Sequence, residues 1–299
     1  MSAPCIVEVA VNGSTSRLAN PNVPRTPAEI AADAISCIDA GATIVHNHND
    51  EGLIVADGVH AADPYAESWT AILDAAPDTL LYTTMASGGP GITVASRWDH
   101  QVELAQRGLC RVGLVDPGSV SLGLMGADGL LMPLDLVYVN THADALYMVR
   151  RCRELQLAPS ISIFDPSFLR VALTFHDAAA LPAGTMIKLY FGGLAPFGLP
   201  PTVPSLLAYL AMLEGTGLPW SVAVLTGDVV GCGLATAALE RGGHVRVGLE
   251  DYHGPKTPTN RQLVDELVTE IERTGRSVAT AEATHRVLGI PLPSQGTAS

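Results

Sequence analysis

Short apolar runs rich in β-branched residues recur along the chain. Between them lie longer runs in which apolar positions return every three or four residues. The first kind reads as strands buried on both faces, the second as amphipathic helices. Strands are expected at Cys5–Asn12, over the stretch from Gly41 to His48, and at Thr79–Met85, Arg111–Val115, Ser160–Phe164, Met186–Phe191, Trp220–Leu225 and His244–Leu249. The first helix opens with a Thr26-Pro27-Ala28-Glu29 capping box and stops at Gly41. Further helices are expected at Pro64–Ala75, Arg97–Arg107, Thr141–Leu155, Pro166–Ala180, Val203–Glu214, Gly233–Arg241 and Pro258–Thr274, with an irregular stretch over Val120–Asp135. Strict alternation implies a parallel sheet, and eight strands with about eight helices point to an α/β fold, a (β/α)8 TIM barrel, as one domain over residues 1–299. A doubly wound open sheet is the alternative. No Gly-X-Gly-X-X-Gly follows the first strand, which counts against a dinucleotide fold. The polar tail 291–299 is expected to fray.

One strand departs from the apolar pattern. Gly41-Ala-Thr-Ile-Val-His46-Asn-His48-Asn-Asp50 ends in two histidines that share a face of the sheet. Paired imidazoles at a strand end suit a divalent metal that takes its third ligand elsewhere; the alternative is a hydrogen-bonded structural pair. The last strand carries a second signal. Arg246, Gly248 and Glu250 share one face, and Val245, Val247 and Leu249 the other. The apolar set should pack on helices, which turns Arg246 and Glu250 into the barrel. Glu250 is then a natural third ligand, or else half of a structural ion pair with Arg246. Asp251 points outward unless the chain turns over the barrel mouth just there. Chemistry in such barrels sits at strand C-termini, and the polar residues there also include Asn12, Thr84, Ser87, Asp116 and Asp228. Gly88-Gly89-Pro90-Gly91 is either a backbone cradle for a carboxylate or a turn. Glu8 and Lys188 read as a buried structural pair. His60, His100, His142, His176, His253 and His285 read as surface residues.

Composition narrows the partners. Seventeen Lys+Arg against 30 Asp+Glu give a formal charge of -13, which disfavours nucleic acid and anionic membranes. Cys5, Cys37, Cys110, Cys152 and Cys232 follow no CxxC spacing and suit a reducing compartment, mostly as small core residues. The chain enters a strand at once, without a basic and apolar leader, and has no run long enough to span a membrane. A cytoplasmic protein is expected.

Taken together, Asn12-Gly13, the entry to the first helix from Pro21 to Ile30, the stretch from Ala40 to His48, and the stretch from Gly243 to Asp251 resemble the β-keto acid cleavage enzymes, typified by 3-keto-5-aminohexanoate cleavage enzyme. The resemblance runs over nearly the whole chain. It implies a zinc-dependent (β/α)8 barrel, one zinc per chain, assembled as a homotetramer, that condenses a β-keto acid with acetyl-CoA to give acetoacetate and a new acyl-CoA. It implies His46, His48 and Glu250 as metal ligands, Asp251 as general base and Arg246 as the arginine that orients the base. The metal would polarise the β-carbonyl, Asp251 would take a proton from the α-carbon, and the carbanion would attack the thioester. Transfer of the CoA thiolate and a retro-Claisen step would release acetoacetate.

The chain also departs from that family's pattern. Asn49-Asp50 follows the second histidine without the usual arginine. The Ser/Thr-Gly-Gly carboxylate clamp is present only as Ala86-Ser87-Gly88-Gly89, so one polar position is lost unless Thr84 replaces it. Asp116 and Asp228 stand where an amide and an arginine are frequent. Two carboxylates at the mouth would favour a substrate whose far end is cationic or polar; as Asp116-Pro117-Gly118 and Gly227-Asp228 they are equally turn chemistry. A metal-dependent barrel aldolase or hydrolase that does not use CoA is the alternative activity. A barrel that binds a small ligand without turnover would lack the metal.

Overall fold

The computed structural model describes residues 3–49, 60–126, 128–133 and 137–292. Asp50, part of the irregular stretch and most of the polar tail lie outside the described residues.

Ten strands and ten helices are present among the described residues. Eight strands form one parallel sheet: β1 (Val7–Ala10), β2 (Ile44–His46), β3 (Leu80–Tyr82), β4 (Val112–Val115), β7 (Ala158–Ile163), β8 (Met186–Gly192), β9 (Trp220–Leu225) and β10 (His244–Val247). The order is β3-β2-β1-β10-β9-β8-β7-β4, so the two edge strands are neighbours in sequence. They lie side by side, and the sheet is nearly closed into a barrel. The strands are buried on both faces, which is why they read as continuous apolar runs.

Helices α1 (Pro27–Asp39), α2 (Asp63–Ala75), α3 (Val94–Trp98), α4 (His100–Gln106), α5 (His142–Glu154), α6 (Pro166–Asp177), α7 (Val203–Leu213), α8 (Leu234–Leu239), α9 (Asn260–Arg273) and α10 (Ala281–Leu288) alternate with them. Thr26 and Glu29 form the expected capping box on α1. The single helix expected over Arg97–Arg107 is instead two. Asp99 interrupts it and accepts a hydrogen bond from the Tyr147 hydroxyl at 2.6 Å. The irregular stretch contains a small antiparallel pair, β5 (Val120–Ser121) with β6 (Val137–Tyr138).

Three histidines expected on the surface are buried. His60 accepts from the Ala86 N–H at 2.7 Å, His100 bonds the Thr83 hydroxyl at 2.7 Å, and His285 bonds the Asp78 carbonyl at 2.9 Å. Each links separate segments, which no local pattern reveals. Cys5, Cys37, Cys110 and Cys152 are buried and Cys232 is exposed. No described helix is long and apolar enough to cross a membrane.

Candidate active site

The site forms where β1, β2, β3 and β10 end. His46 closes β2, and two residues on His48 shares its face. Asn12 pins that segment, because its side-chain amide donates to the His48 carbonyl at 2.8 Å and accepts from the His48 N–H at 2.8 Å. Sequence alone places Asn12 at the mouth without revealing this clamp.

β10 delivers the remaining groups by breaking its strand geometry. Gly248 has φ +142°, and a Cβ there would lie 2.0 Å from the Ala10 carbonyl oxygen. The chain turns at that residue, with Glu250 N–H bonded to Ala10 O at 3.2 Å and Tyr252 N–H to Gly248 O at 2.9 Å. Thr15 and Asn260 hold the turn through the Leu249 carbonyl and N–H, at 2.7 and 2.8 Å. Glu250 and Asp251 therefore both face the barrel, although they are adjacent in sequence. Gly13 makes the room: a Cβ on it would meet the Glu250 Cγ at 2.2 Å.

His46 Nε2 lies 3.2 Å from Glu250 Oε2, and His48 Nε2 3.5 Å from Glu250 Oε1. One ligand atom from each of the three residues falls within 4.8 Å of the others. The protonation pattern favours a cation among them. His46 Nδ1 lies 3.3 Å from the Tyr82 carbonyl, which can only accept, so the ring proton sits on Nδ1 and Nε2 is a bare lone pair. Burial pushes His46 down to about 4, against the pull of Glu250, so the ring is neutral. Glu250 is held well below the usual carboxylate range: burial opposes ionisation, but Arg246, His46 and His48 outweigh it. Two acceptors thus face each other, and the buried His48 Nε2 and Glu250 Oε2 have no hydrogen-bond partner. A divalent ion would satisfy all of them, and the nitrogen and oxygen donors fit zinc.

Arg246 is buried beside this cluster. Its Nε and Nη2 bond Asp251 at 2.7 and 2.9 Å, and Nη2 also reaches Glu250 at 2.9 Å. Burial pushes Asp251 up to about 6 despite Arg246, so it is ionised at neutral pH and more basic than a surface carboxylate. Beneath lie Glu8 and Lys188, paired at 2.7 Å, and Tyr82. A cavity of about 220 Å³ opens over Glu250 and Asp251 and is lined also by Thr15, Thr226, His253 and Lys256.

The candidate substrate residues are less uniform. Thr84 is half-buried at the end of β3. The Ser87 hydroxyl donates to the Val137 carbonyl at 3.0 Å and accepts from the Val139 N–H at 2.9 Å, and the Gly88 N–H bonds the Val139 carbonyl at 2.9 Å. This loop is stitched to β6, and Gly89 is paired with Ile92 across its own tight turn. Behind it the buried Arg97 bonds the Ala86 carbonyl at 3.0 Å and Asn140 at 2.6 Å, a support that sequence reading passed over as an ordinary helix residue. Asp116 is buried at the end of β4; one oxygen accepts from the Tyr138 hydroxyl and Oδ1 has no partner. Asp228 accepts from the Gly231 N–H at 2.8 Å within its own turn.

A profile of the beta-keto acid cleavage enzymes matches residues 4–290. The chain belongs to this family. Among beta-keto acid cleavage enzyme relatives, it is 27% identical to the 3-dehydrocarnitine:acetyl-CoA trimethylamine transferase of Rhizobium meliloti, over 96% of this chain and 97% of that protein. It is 27% identical to the 3-oxoadipate:acetyl-CoA acetyltransferase of Cupriavidus necator (97% and 96%) and 26% identical to the 3-keto-5-aminohexanoate cleavage enzyme of Acetoanaerobium sticklandii (95% and 98%). Among solved structures, a ternary complex of ObcA with a C4-CoA adduct and oxalate superposes with a TM-score of 0.61 at 15% identity, over 90% of this chain and 68% of that one. The type I 3-dehydroquinate dehydratase of Clostridium difficile gives 0.53 at 13%, over 91% and 94%. At such identities these two bear on the fold alone.

Proposed function

We propose that this family member condenses a β-keto acid with acetyl-CoA, yielding acetoacetate and a new acyl-CoA. The observation that carries the reading is the meeting of a three-ligand cluster with an arginine-held carboxylate at one barrel mouth. His46, His48 and Glu250 would hold one zinc, which when bound polarises the β-carbonyl as a Lewis acid and so acidifies the α-carbon. Asp251 takes the α-proton, and Arg246 fixes the angle of that carboxylate. The carbanion attacks the acetyl thioester, the CoA thiolate transfers to the other carbonyl, and carbon–carbon cleavage releases acetoacetate. Thr84, beside the loop of Ser87, Gly88 and Gly89, would grip the keto acid carboxylate. Acetyl-CoA enters over the Thr15–Lys256 cavity. One barrel domain carries the whole site. The assembly is a cytoplasmic homotetramer in this reading, and the exposed Leu124, Leu130, Leu131 and Val137 beside β6 support a covered surface there.

The relatives' names include both amine-bearing and dicarboxylic substrates, so Asp116 decides the substrate class. A buried carboxylate with an unpartnered oxygen favours a β-keto acid with a cationic far end and repels a second carboxylate. Asp228, engaged in its own turn, contributes less. The test offers acetyl-CoA with aminated, neutral and dicarboxylic β-keto acids of similar length and scores acetoacetate. Turnover of the amine that falls at least ~10-fold in Asp116→Asn is expected. Preference for β-ketoadipate would overturn the substrate class, and no acetoacetate from any acid would overturn the function.

A further inference from the structure

We propose that Tyr82 is a positioning residue that locks the metal ligand His46 and the base-holding Arg246 into one unit. Tyr82 ends β3 and pairs in register with His46 on β2. It is fully buried. Its ring stacks on the His46 imidazole, with centroids 4.4 Å apart and planes 28° from parallel. Its carbonyl accepts from His46 Nδ1 at 3.3 Å. One residue thus sets both the plane of that imidazole and the tautomer that aims Nε2 at the cluster.

The other end of the same side chain serves the arginine. A phenol has one proton and two lone pairs. Here the hydroxyl donates to Glu8 Oε1, accepts from Arg246 Nη1 at 3.0 Å, and accepts from Lys188 Nζ. All three positions are filled by groups that are themselves buried. Lys188 Nζ lies 4.3 Å from the Tyr82 ring centroid, at the hydroxyl end of the ring. Glu8 Oε1 in turn reaches Arg246 Nη1 at 3.3 Å. Arg246 is therefore gripped from below by Tyr82 and Glu8 and from above by Glu250 and Asp251.

The rigid ring spans the gap between two parts whose relative placement matters. His46 fixes where a polarised carbonyl would sit, and Arg246 fixes where Asp251 meets the α-proton. Misplacing such partners by about 1 Å can cost about 100-fold in rate. The hydroxyl has no free position left for a substrate, so its role is exerted through Arg246 and not by contact with reactants.

The experiment separates the two ends of the side chain. Tyr82→Phe keeps the ring and the carbonyl but deletes the hydroxyl. Tyr82→Met fills much of the volume but removes the flat surface under His46. Zinc affinity is read by competition with a chromophoric chelator. Turnover with acetyl-CoA is read on whichever β-keto acid the wild type accepts. Tyr82→Phe should bind zinc within ~3-fold of wild type and lose ~10–100-fold in kcat with KM within ~3-fold. Tyr82→Met should in addition weaken zinc by ~10–100-fold, the usual effect of losing an outer support of a ligand. Circular dichroism and urea melts check that both variants fold. Wild-type kcat in Tyr82→Phe, or wild-type zinc affinity in a folded Tyr82→Met, would overturn the proposal. Only the kinetic arm rests on the proposed activity. If the wild type turns over no β-keto acid, that reading fails, and the zinc arm still judges Tyr82.

Discussion

Arg246 holds Asp251 by two parallel hydrogen bonds, 2.7 and 2.9 Å long, and touches Glu250 with one of the same nitrogens. The proposed base is therefore tied to a proposed metal ligand through a single guanidinium. A planar fork of this kind presents a carboxylate at a fixed angle, which a lysine could not do.

Replacing Asp251 by Asn should keep the fold and the metal and lower kcat by about 10²–10⁴-fold, because an amide has nearly the same shape and cannot take the proton. Arg246→Ala should lose activity and also about 3–5 kcal/mol of stability, since it strands buried carboxylates. Steady-state kinetics and urea denaturation on the two variants check this. A near-normal rate in Asp251→Asn would remove Asp251 from the mechanism.

Elemental analysis of the purified protein should find about one zinc per chain, from three protein ligands and one open position. His46→Ala, His48→Ala and Glu250→Ala should each lose it. Full metal content in all three would refute the ligand assignment. A different divalent ion would leave the ligands standing, because this donor set does not select one metal alone.

Gly248→Ala should destabilise the protein by roughly 3 kcal/mol or more and lower zinc content as well. Its φ of +142° suits glycine alone, and the added carbon would collide with the Ala10 backbone. Because this residue starts the turn, relief of the collision has to displace Glu250. Melting temperature and metal content measured on the same sample make the check; a stable variant with full zinc would contradict it.

His244 should make the fold sensitive to acid. Its Nδ1 accepts from the Ile6 N–H at 3.0 Å, so the ring must be unprotonated there. Burial, with Arg276 nearby, pushes it down to about 4. A folded-state value below the unfolded 6.5 means that the unfolded chain binds the proton first. Stability from this group is thus whole above pH 6.5 and lost as pH falls toward 4, by about 2–3 kcal/mol. His244→Asn keeps an acceptor that does not titrate. Urea melts at pH 7.5 and 4.5 should show a smaller loss in the variant; equal losses would rule His244 out.

The strands were legible because burial on both faces makes each one a continuous apolar run, and the Thr26 capping box is written in four consecutive residues. His46 and His48 stood out for a related reason: two imidazoles break such a run at its end, and the structure brings them together with Glu250. Asp251 was harder. Strand alternation points it outward, and only the backbone geometry of Gly248, which is fixed by its approach to Ala10, turns it in. Tyr82 reads locally as one more aromatic in an apolar run, since its partners come from β1, β2, β8 and β10. The burial of His60, His100 and His285 was hidden for the same reason: each is set by a partner distant in sequence.

The loop carrying Ser87 and Gly88 is sewn to β6, and the hydroxyl that caps Asp116 comes from Tyr138 on that same strand. The proposed metal ligands and base come from β2 and the turn after β10, whereas this loop system follows β3 and β4. In the proposed reading, the groups that react and the groups that read the substrate thus sit on different loops of one mouth. On that reading, drift in the excursion between β4 and α5 would retune which tail is accepted while leaving His46, His48, Glu250 and Asp251 in place. Transplanting residues 116–141 from a relative with a different substrate should accordingly move the preference among β-keto acids and leave zinc stoichiometry as it was.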